Sequence, residues 1–283
     1  MSFKPREAAP QPQQPELLTP PKDLLLACYA QALLQQTYPG YPVHEERLFL
    51  DHISYDAYGH VTLDNSGPWV AGETLPSRLE QLTDVLHNIG YPKMCTLDAD
   101  YRPLHPWWRD IVTRSDIGGV VGKGFYYYWG ANYTADAAVI AHDENNTPHV
   151  LLIQRRDNGE WALPGGFLNP NEPSKVAAVR ELHEETSLLL DRSKAGAHKI
   201  YSGPVFDIRT TLHAWSETHL WVFTLYGNSL PDTVANDDAI GIDWAPLNNI
   251  PSELYGSHPL LIQMALNHAL GIAEQQAGER SHR

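Results

Sequence analysis

Hydrophobic and polar positions follow the most regular pattern in the second half of the chain. Short apolar runs bounded by turn residues predict five β-strands, at 137–141, 150–156, 200–206, 219–226 and 241–245. The run at 219–226 has little polar interruption, so we expect that strand to lie centrally in a sheet. Strands that alternate with two long helices predict a mixed sheet between helical layers, which is an α/β fold.

Helical spacing of apolar residues marks four further segments, at 24–36, 77–87, 175–190 and 260–270. The segment 175–190 contains neither proline nor glycine, and Pro173 suits a first helical turn because no intrahelical N–H bond is lost there. Short strands or hairpin pieces are expected between residues 48 and 61. The N-terminal half therefore reads as a mixture of helices and short strands.

One face of the helix predicted at 175–190 is strongly acidic. At about 100° per residue, Glu181, Glu184 and Glu185 share a face opposite Val179 and Leu182. Like charges raise one another's pKa unless positive charge neutralises them, and carboxylate oxygens suit Mg²⁺ or Mn²⁺. An ordinary solvated helix also often carries several glutamates, so this face alone leaves both interpretations open.

The residues around this helix favour the metal interpretation. Gly165 and Gly166 have no side chain, so backbone carbonyls there can approach a metal ion closely. Arg180 is placed to hold Glu184 four residues further along the helix. Gly166 is followed at fixed spacing by Glu172, then by Arg180-Glu181, and then by Glu184-Glu185.

That spacing resembles the Nudix box, the G-x5-E-x7-R-E-U-x-E-E-x-G-U signature of Nudix hydrolases. Ser187 departs from it, standing where the signature has its last glycine, a residue that shapes the helix exit and is not a ligand. Outside the box we single out Trp129-Gly130, Arg156-Asp157, Asp207, Arg209-Thr210, Trp215 and Asp237-Asp238-Ala239. With these, the chain is similar to mitochondrial-type ADP-ribose pyrophosphatases and to the homologous domain of a melastatin-type cation channel.

The resemblance implies a Nudix α/β/α sandwich with a mixed sheet, preceded by a smaller α+β N-terminal domain. It also implies Mg²⁺-dependent, or Mn²⁺-dependent, hydrolysis of ADP-ribose to AMP and ribose 5-phosphate. We expect a disordered Pro/Gln-rich tail at 1–22, an accessory domain at 23–125, the Nudix domain at 126–275 and a flexible C-terminus at 276–283.

The metal ligands implied by motif position are Gly165, through its carbonyl, and Glu181, Glu184 and Glu185. Glu184 is alternatively the group that orients the attacking water, so Glu181 and Glu184 are also catalytic candidates. Glu172 and Arg180 would hold the ligands in place. A further base is expected on the loop 227–240, where Asp237 and Asp238 are the candidates and a simple turn is the alternative explanation.

Substrate contacts are expected from Arg156, Arg209, Trp129, Trp215 and Asp136. The two arginines would meet phosphate or the terminal ribose, and the two tryptophans would stack on adenine. Asp136 joins this set through the resemblance alone. Structural ion pairs and aromatic core packing are the competing explanations for the arginines and tryptophans.

The composition and net charge of the chain argue against several classes of function. The formal net charge of −14 argues against nucleic-acid binding, which needs a basic surface, but not against a small nucleotide substrate. The longest apolar runs are far shorter than a membrane span, so we expect no membrane partner. Cys28 and Cys95 form no disulfide framework, so we expect a reducing compartment and a cytoplasmic location. The oligomeric state is not indicated.

Two alternatives to ADP-ribose hydrolysis stay open at this point. The chain could be a Nudix hydrolase of NADH, a dinucleoside polyphosphate or a nucleotide sugar. It could also sense ADP-ribose without cutting it, although inactive versions are expected to lose box carboxylates and this chain keeps them.

Overall fold

A computed structural model describes residues 22–35, 47–64, 66–71, 96–191, 193 and 195–281. The helix expected at 77–87, Cys95 and nearly all of the expected tail lie outside the described residues. Within them, no helix is long and apolar enough to cross a membrane.

The described helices and strands match the expected order, with shifted ends. The helices are α1 (Lys22–Gln35), α2 (Trp108–Thr113), α3 (Ser174–Thr186) and α4 (His258–Ser281). The strands are β1 (Ile53–Tyr55), β2 (Val61–Leu63), β3 (Gly130–His142), β4 (Pro148–Arg155), β5 (Trp161–Ala162), β6 (Gly165–Phe167), β7 (Ala195–Val205), β8 (Ala214–Leu225) and β9 (Ala239–Pro246). The expected strands and the helices expected at 24–36, 175–190 and 260–270 are confirmed. The expected extension of the acidic helix to residue 190 is wrong, because α3 ends at Thr186 and leaves Leu189 exposed.

Seven of the described strands form one mixed sheet in the order β5-β4-β3-β8-β7, with β6 also paired to β3 and β9 to β4. Strands β3 and β8 run parallel, whereas the other pairs are antiparallel. β8 lies between β3 and β7, so its expected central position is confirmed.

Strands β3 and β4 separate along their length, and this separation opens a cleft. Their pairing covers Ile140–His142 of β3 and Pro148–Val150 of β4. Further back, Thr134–Asp136 of β3 pairs instead with Gly165–Phe167 of β6. The glycine loop that precedes the acidic helix is thereby bonded directly to the central part of the sheet.

The two faces of the sheet pack against different helices. Alternate residues of β3 point to opposite faces, so Ala138 and Ile140 pack in the core with Leu261 of α4. Ala137 and Val139 pack with Leu182 of α3. This confirms the expected α/β/α sandwich. Ala177 of α3 lies in the same core.

The described N-terminal region shares a hydrophobic core with the sheet. Leu25 of α1, Leu63 of β2 and Ile111 of α2 pack together with Phe206 and Leu212, which lie in the connection between β7 and β8. The hairpin β1–β2 confirms the short strands expected there. Apolar contacts join residues on both sides of position 125. The domain boundary expected there stays a prediction.

Candidate active site

The backbone conformations of single residues define both ends of the acidic helix. Pro173 precedes the first helical residue with extended backbone angles, one position earlier than expected. Ser187 ends the helix in the left-handed region, with φ of 58°, and its N–H donates to the carbonyl of His183 at 2.8 Å. Glycine favours this conformation, which supports the interpretation that this position shapes the helix exit.

Arg180 is the cation at the centre of the acidic face. Its guanidinium donates to Glu172 at 2.8 and 2.9 Å, to Glu181 at 2.7 Å and to Glu184 at 2.9 Å. It also donates to the carbonyl of Phe167 at 3.0 Å. Hydrogen bonding to Arg180 holds the pKa of Glu172 below its usual value. The expected contact between Arg180 and Glu184 is confirmed, and one cation serves three carboxylates.

Glu185 lies deeper, at the floor of the cleft. It is 5% exposed, and its carboxylate accepts the N–H of Gly165 at 2.9 Å. Burial raises the pKa of Glu185 to about 8, and the charges of Glu181 and Asp136 add to this effect. Asp136 is also buried and accepts a hydrogen bond from Thr218, and burial raises its pKa to about 6. The neighbouring cations therefore do not offset the cost of ionising these two buried carboxyl groups.

The two glycines of the loop are required by close packing. A Cβ on Gly165 would lie 2.5 Å from Oδ1 of Asp136 and 2.7 Å from the carbonyl of Ala135. A Cβ on Gly166 would lie 2.5 Å from the carboxylate of Glu181. Main-chain atoms thus press against the carboxylates, and any side chain larger than hydrogen would displace them.

The donor set suits a hard divalent cation. Glu181, Glu184, Glu185 and the carbonyl of Gly165 offer oxygen atoms, and the raised pKa of Glu185 shows that burial outweighs the effect of the nearby cation Arg155. Among the described residues, however, no three His, Cys, Asp or Glu side chains converge closely enough to hold a metal ion. Arg180 holds Glu181 and Glu184, so an incoming ion competes with its guanidinium for both carboxylates.

Two chemically different groups of residues, the aromatic end and the arginine-rich end, line the same cavity of about 440 Å³ as Glu185 and Asp136. Tyr127 and Phe167 line one part, with their rings edge to face at 5.1 Å between centroids. Arg155, Arg209 and Tyr255 line another part. The cavity thus combines an aromatic end, an acidic floor and an arginine-rich end.

Ion pairs and ring contacts order the arginine-rich end. Arg209 donates to the buried carboxylate of Asp207 at 2.5 and 3.1 Å, and the Tyr255 hydroxyl donates to the same carboxylate at 2.9 Å. Burial raises the pKa of Asp207, but the charge of Arg209 outweighs this and holds it below its usual value. The Arg155 guanidinium lies 4.1 Å from the centroid of the Tyr255 ring. Sequence reasoning included Arg209 but missed Arg155, which alternation from the buried Ile153 places on the cleft side of β4.

The two tryptophans expected to stack on adenine do not line the cavity. Trp129 and Trp215 are each 2% exposed. Trp129 packs on His213 with ring centroids 5.7 Å apart, and Trp215 meets His105 edge on at 5.1 Å. The structure therefore assigns both indoles to the interior, where neither ring face is open to a base. Of the aromatics that line the cavity, Tyr127 is exposed and Phe167 is half-buried.

The loop after β8 brings Asp237 and Asp238 to the acidic helix. Asp238 lines the cavity, and the charge of Asp237 contributes to the raised pKa of Glu181, in which burial is the largest cause. Arg156 lines the cavity as well, but its guanidinium donates to the main-chain carbonyl of Asp237 at 2.7 and 3.2 Å. The loop thus brings Asp237 near Glu181 of the acidic helix and places Asp238 at the cavity.

Comparison with known proteins agrees with this arrangement. The sequence model of the NUDIX domain family matches residues 132–263, which include the sheet, α3 and the cleft floor. The Caenorhabditis elegans protein named "Putative nudix hydrolase 6" is 33% identical over 206 residues, covering 70% of this chain and 76% of that protein.

Two further relatives extend the comparison. The mitochondrial ADP-ribose pyrophosphatase of Rattus norvegicus is 31% identical over 180 residues, 52% of this chain and 50% of that enzyme. Transient receptor potential cation channel subfamily M member-like 2 of Nematostella vectensis is 29% identical over 194 residues, 58% of this chain and 12% of that channel. The chain thus spans half the length of the rat enzyme and a small part of the channel. The family match, the nematode relative and the acidic helix lead to one conclusion: the chain belongs to the Nudix hydrolase family.

Proposed function

We propose that this protein hydrolyses the pyrophosphate of ADP-ribose to AMP and ribose 5-phosphate, with Mg²⁺ as its cofactor and Mn²⁺ as a substitute. The observation that carries the proposal is the cluster of Glu185 and Asp136 in a cavity of about 440 Å³ with Glu181 beside them, whose pKa values burial raises more than nearby cations lower them. Nudix enzymes use divalent metal ions. The similarity to a rat enzyme named ADP-ribose pyrophosphatase supports the choice of substrate.

The acidic face would hold the cation. Glu181, Glu184, Glu185 and the Gly165 carbonyl are the proposed ligands, and Glu172 and Arg180 keep them in place through the hydrogen bonds described above. When bound, the cation supplies positive charge that offsets the charge of the pyrophosphate.

Carboxylates beside the floor would orient the attacking water molecule and accept its proton. Its oxygen attacks one phosphorus atom, the bond from that phosphorus to the bridging oxygen breaks, and the bridging oxygen leaves with the other phosphate. Glu184, Asp237 and Asp238 are the candidates to orient the water and accept its proton. The exposure of the Glu184 side chain, 43%, suits contact with solvent water.

The two ends of the cleft suggest how the substrate lies. The exposed ring of Tyr127 and the neighbouring ring of Phe167 suit a purine base, because bases stack on aromatic faces. Arg155 and Arg209 suit the ribose phosphate end, where charge-assisted hydrogen bonds bind an anionic and hydroxylated group. The pyrophosphate then spans the acidic floor between them.

A substrate panel tests the proposal. The protein is incubated with Mg²⁺ and ADP-ribose, NADH, a dinucleoside polyphosphate or a nucleotide sugar, and products and kcat/KM are measured for each. ADP-ribose should give AMP and ribose 5-phosphate with the highest kcat/KM, and chelation of the metal should abolish turnover. A higher kcat/KM for another compound would replace ADP-ribose as the substrate, and calorimetric binding of ADP-ribose without turnover would indicate a sensor.

The cellular location stays a prediction. The cytoplasmic expectation depends on cysteine usage, of which Cys28 is a free thiol in the structure. The rat relative is named as mitochondrial. Fractionation of cells that express the protein would separate the two compartments.

A further inference from the structure

The loop that carries Asp237 and Asp238 is tied to the end of the acidic helix. The N–H of Val234 donates to the carbonyl of Thr186 at 2.9 Å, and the N–H of Asn236 donates to the carbonyl of Glu185 at 3.0 Å. The side-chain amide of Asn236 donates to the Ser187 hydroxyl at 2.6 Å. The last carbonyls of a helix have no intrahelical partner, and here the loop supplies partners for two of them.

Arg156 ties the same loop to the end of β4 from the other side. Its main-chain N–H donates to the carbonyl of Asp238 at 2.8 Å. Its guanidinium donates twice to the carbonyl of Asp237, at 2.7 Å from Nη2 and 3.2 Å from Nε. The side chain is exposed, so no burial requirement explains why it turns towards this carbonyl.

The conformation of Asp237 needs such support. Its φ is +50°, in the left-handed region that residues with a side chain seldom occupy. Backbone of this kind persists when surrounding contacts determine it, and it is frequent at functional sites. The guanidinium of Arg156 binds the carbonyl of this residue itself, so it acts where the unusual conformation has to be maintained.

We infer that Arg156 is a positioning residue, which latches the 231–238 loop so that Asp237 and Asp238 face the acidic helix. The sequence had suggested that Arg156 contacts phosphate or the terminal ribose of the substrate, with a structural ion pair as the competing explanation. The inference depends on the proposed function only in giving Asp237 and Asp238 a part in the reaction. That Arg156 fixes the loop follows from the hydrogen bonds described above, whatever the reaction.

Steady-state kinetics distinguish a residue that positions the loop from one that binds the substrate phosphate. For Arg156→Ala we expect kcat to fall about tenfold, the effect of about 1.4 kcal/mol in the transition state, with KM within twofold of wild type. Arg156→Lys should recover most of kcat, because an ammonium can still donate to the Asp237 carbonyl. Arg114→Ala is the matched control, since Arg114 also pairs on the surface, with Asp116, and should leave both constants unchanged.

A double variant sharpens the result. If Arg156 acts through these two aspartates, adding Arg156→Ala to a variant that carries both Asp237→Asn and Asp238→Asn should slow it no further. Additive losses in kcat would overturn the inference. A tenfold rise in KM with normal kcat, weakened by salt, would also overturn it and make Arg156 a substrate ligand.

Amide hydrogen exchange gives a readout that needs no turnover. In Arg156→Ala, the amides of Val234, Asn236 and Ala239 should exchange at least tenfold faster than in wild type, while amides of β8 keep their rates. Unchanged exchange in the loop would overturn the latch even if activity fell. If the wild-type protein cleaves no substrate of the panel, the proposed function fails, and the exchange experiment still decides whether Arg156 holds the loop.

Discussion

Two clusters of charged residues in this protein each pair an arginine with carboxylates, but they differ in how fully the carboxylates are paired. In the first, Arg102 donates to Asp98 at 2.6 Å and Nε2 of His213 lies 3.1 Å from the same carboxylate, with both members of the ion pair almost fully buried. In the second, Arg180 serves Glu172, Glu181 and Glu184, which are partly exposed, and Glu185 lies buried beside them.

The difference lies in how completely the charge is matched. Burial raises the pKa of Asp98, but His213 and Arg102 outweigh it and the pKa stays below its usual value. The same carboxylate accepts the main-chain N–H groups of Asp100 and Arg102 at 2.9 Å. For Glu185 burial dominates, and the pKa rises to about 8. Burial alone therefore does not mark a site; a buried carboxyl group whose ionised form lacks a matching cation does, because a bound cation can supply the missing charge.

The largest expected effect comes from the unmatched cluster. Glu185→Gln and Glu181→Gln should each lower kcat about 10²–10³-fold, the range seen when one electrostatic group is removed from a reacting centre. Far-UV circular dichroism should remain that of the wild type, because neither carboxylate belongs to the apolar core. Near-normal turnover of either variant would show that the metal-ligand assignment is wrong.

The matched cluster should respond in stability instead. Asp98→Asn leaves Arg102 buried without its main counter-charge, and breaking a buried pair on one side costs about 3–5 kcal/mol. Urea unfolding measures this loss, and kcat per folded molecule should stay within twofold of wild type. A large loss of kcat at normal stability would mean that this cluster, too, takes part in the reaction.

The pH dependence of stability should also distinguish the clusters. The pKa of Glu185 is about 8 in the folded protein and 4.5 as the reference value, so the folded state binds more protons between these values. Metal-free protein should therefore lose about 1–3 kcal/mol of unfolding free energy as pH rises from about 5 to 8. Thermal melts of wild type and Glu185→Gln across this range measure it.

Two controls decide whether Glu185 is responsible. The variant should lose less stability over the same pH range, and Mg²⁺ at pH 8 should restore part of the loss in wild type alone. Parallel pH profiles for the two proteins would remove Glu185 as the cause.

The smallest effect is expected at the helix exit. Ser187→Gly relieves a left-handed conformation but removes the hydroxyl that accepts the Asn236 amide. These contributions are similar in size, so the free energy of unfolding should change by less than about 0.5 kcal/mol, with kcat unchanged. A severalfold change in kcat would contradict the view that this position only shapes the backbone.

Much of the fold and part of the site were predictable because their signals are local. Apolar periodicity located β3, β4, β7, β8, β9 and three helices, and the box spacing located Gly165, Glu172, Arg180 and the three glutamates. The exact end of α3 was mispredicted, since Leu189 fits the helical pattern but lies beyond the left-handed Ser187. The left-handed conformation of Ser187, whose hydroxyl accepts the Asn236 amide, is not visible in periodicity.

The rest of the site depended on which residues meet across the chain. Trp129 and Tyr127 are two positions apart, yet one ring is buried and the other lies exposed at the cleft. Arg155 and Arg156 are adjacent, yet one stacks on Tyr255 and the other binds the Asp237 carbonyl. Residue type alone does not distinguish the members of either pair.

The amino-acid order by itself determined the family, the order of strands and helices, and the acidic face of α3. Residues at helical spacing project from the same face of a helix, so the sequence alone shows which of them lie together. Only the tertiary structure decided which aromatic and basic side chains reach the cleft, and how far each carboxylate is neutralised. Those properties depend on distances between segments far apart in the chain, since burial and opposing charge come from neighbours that no local pattern records.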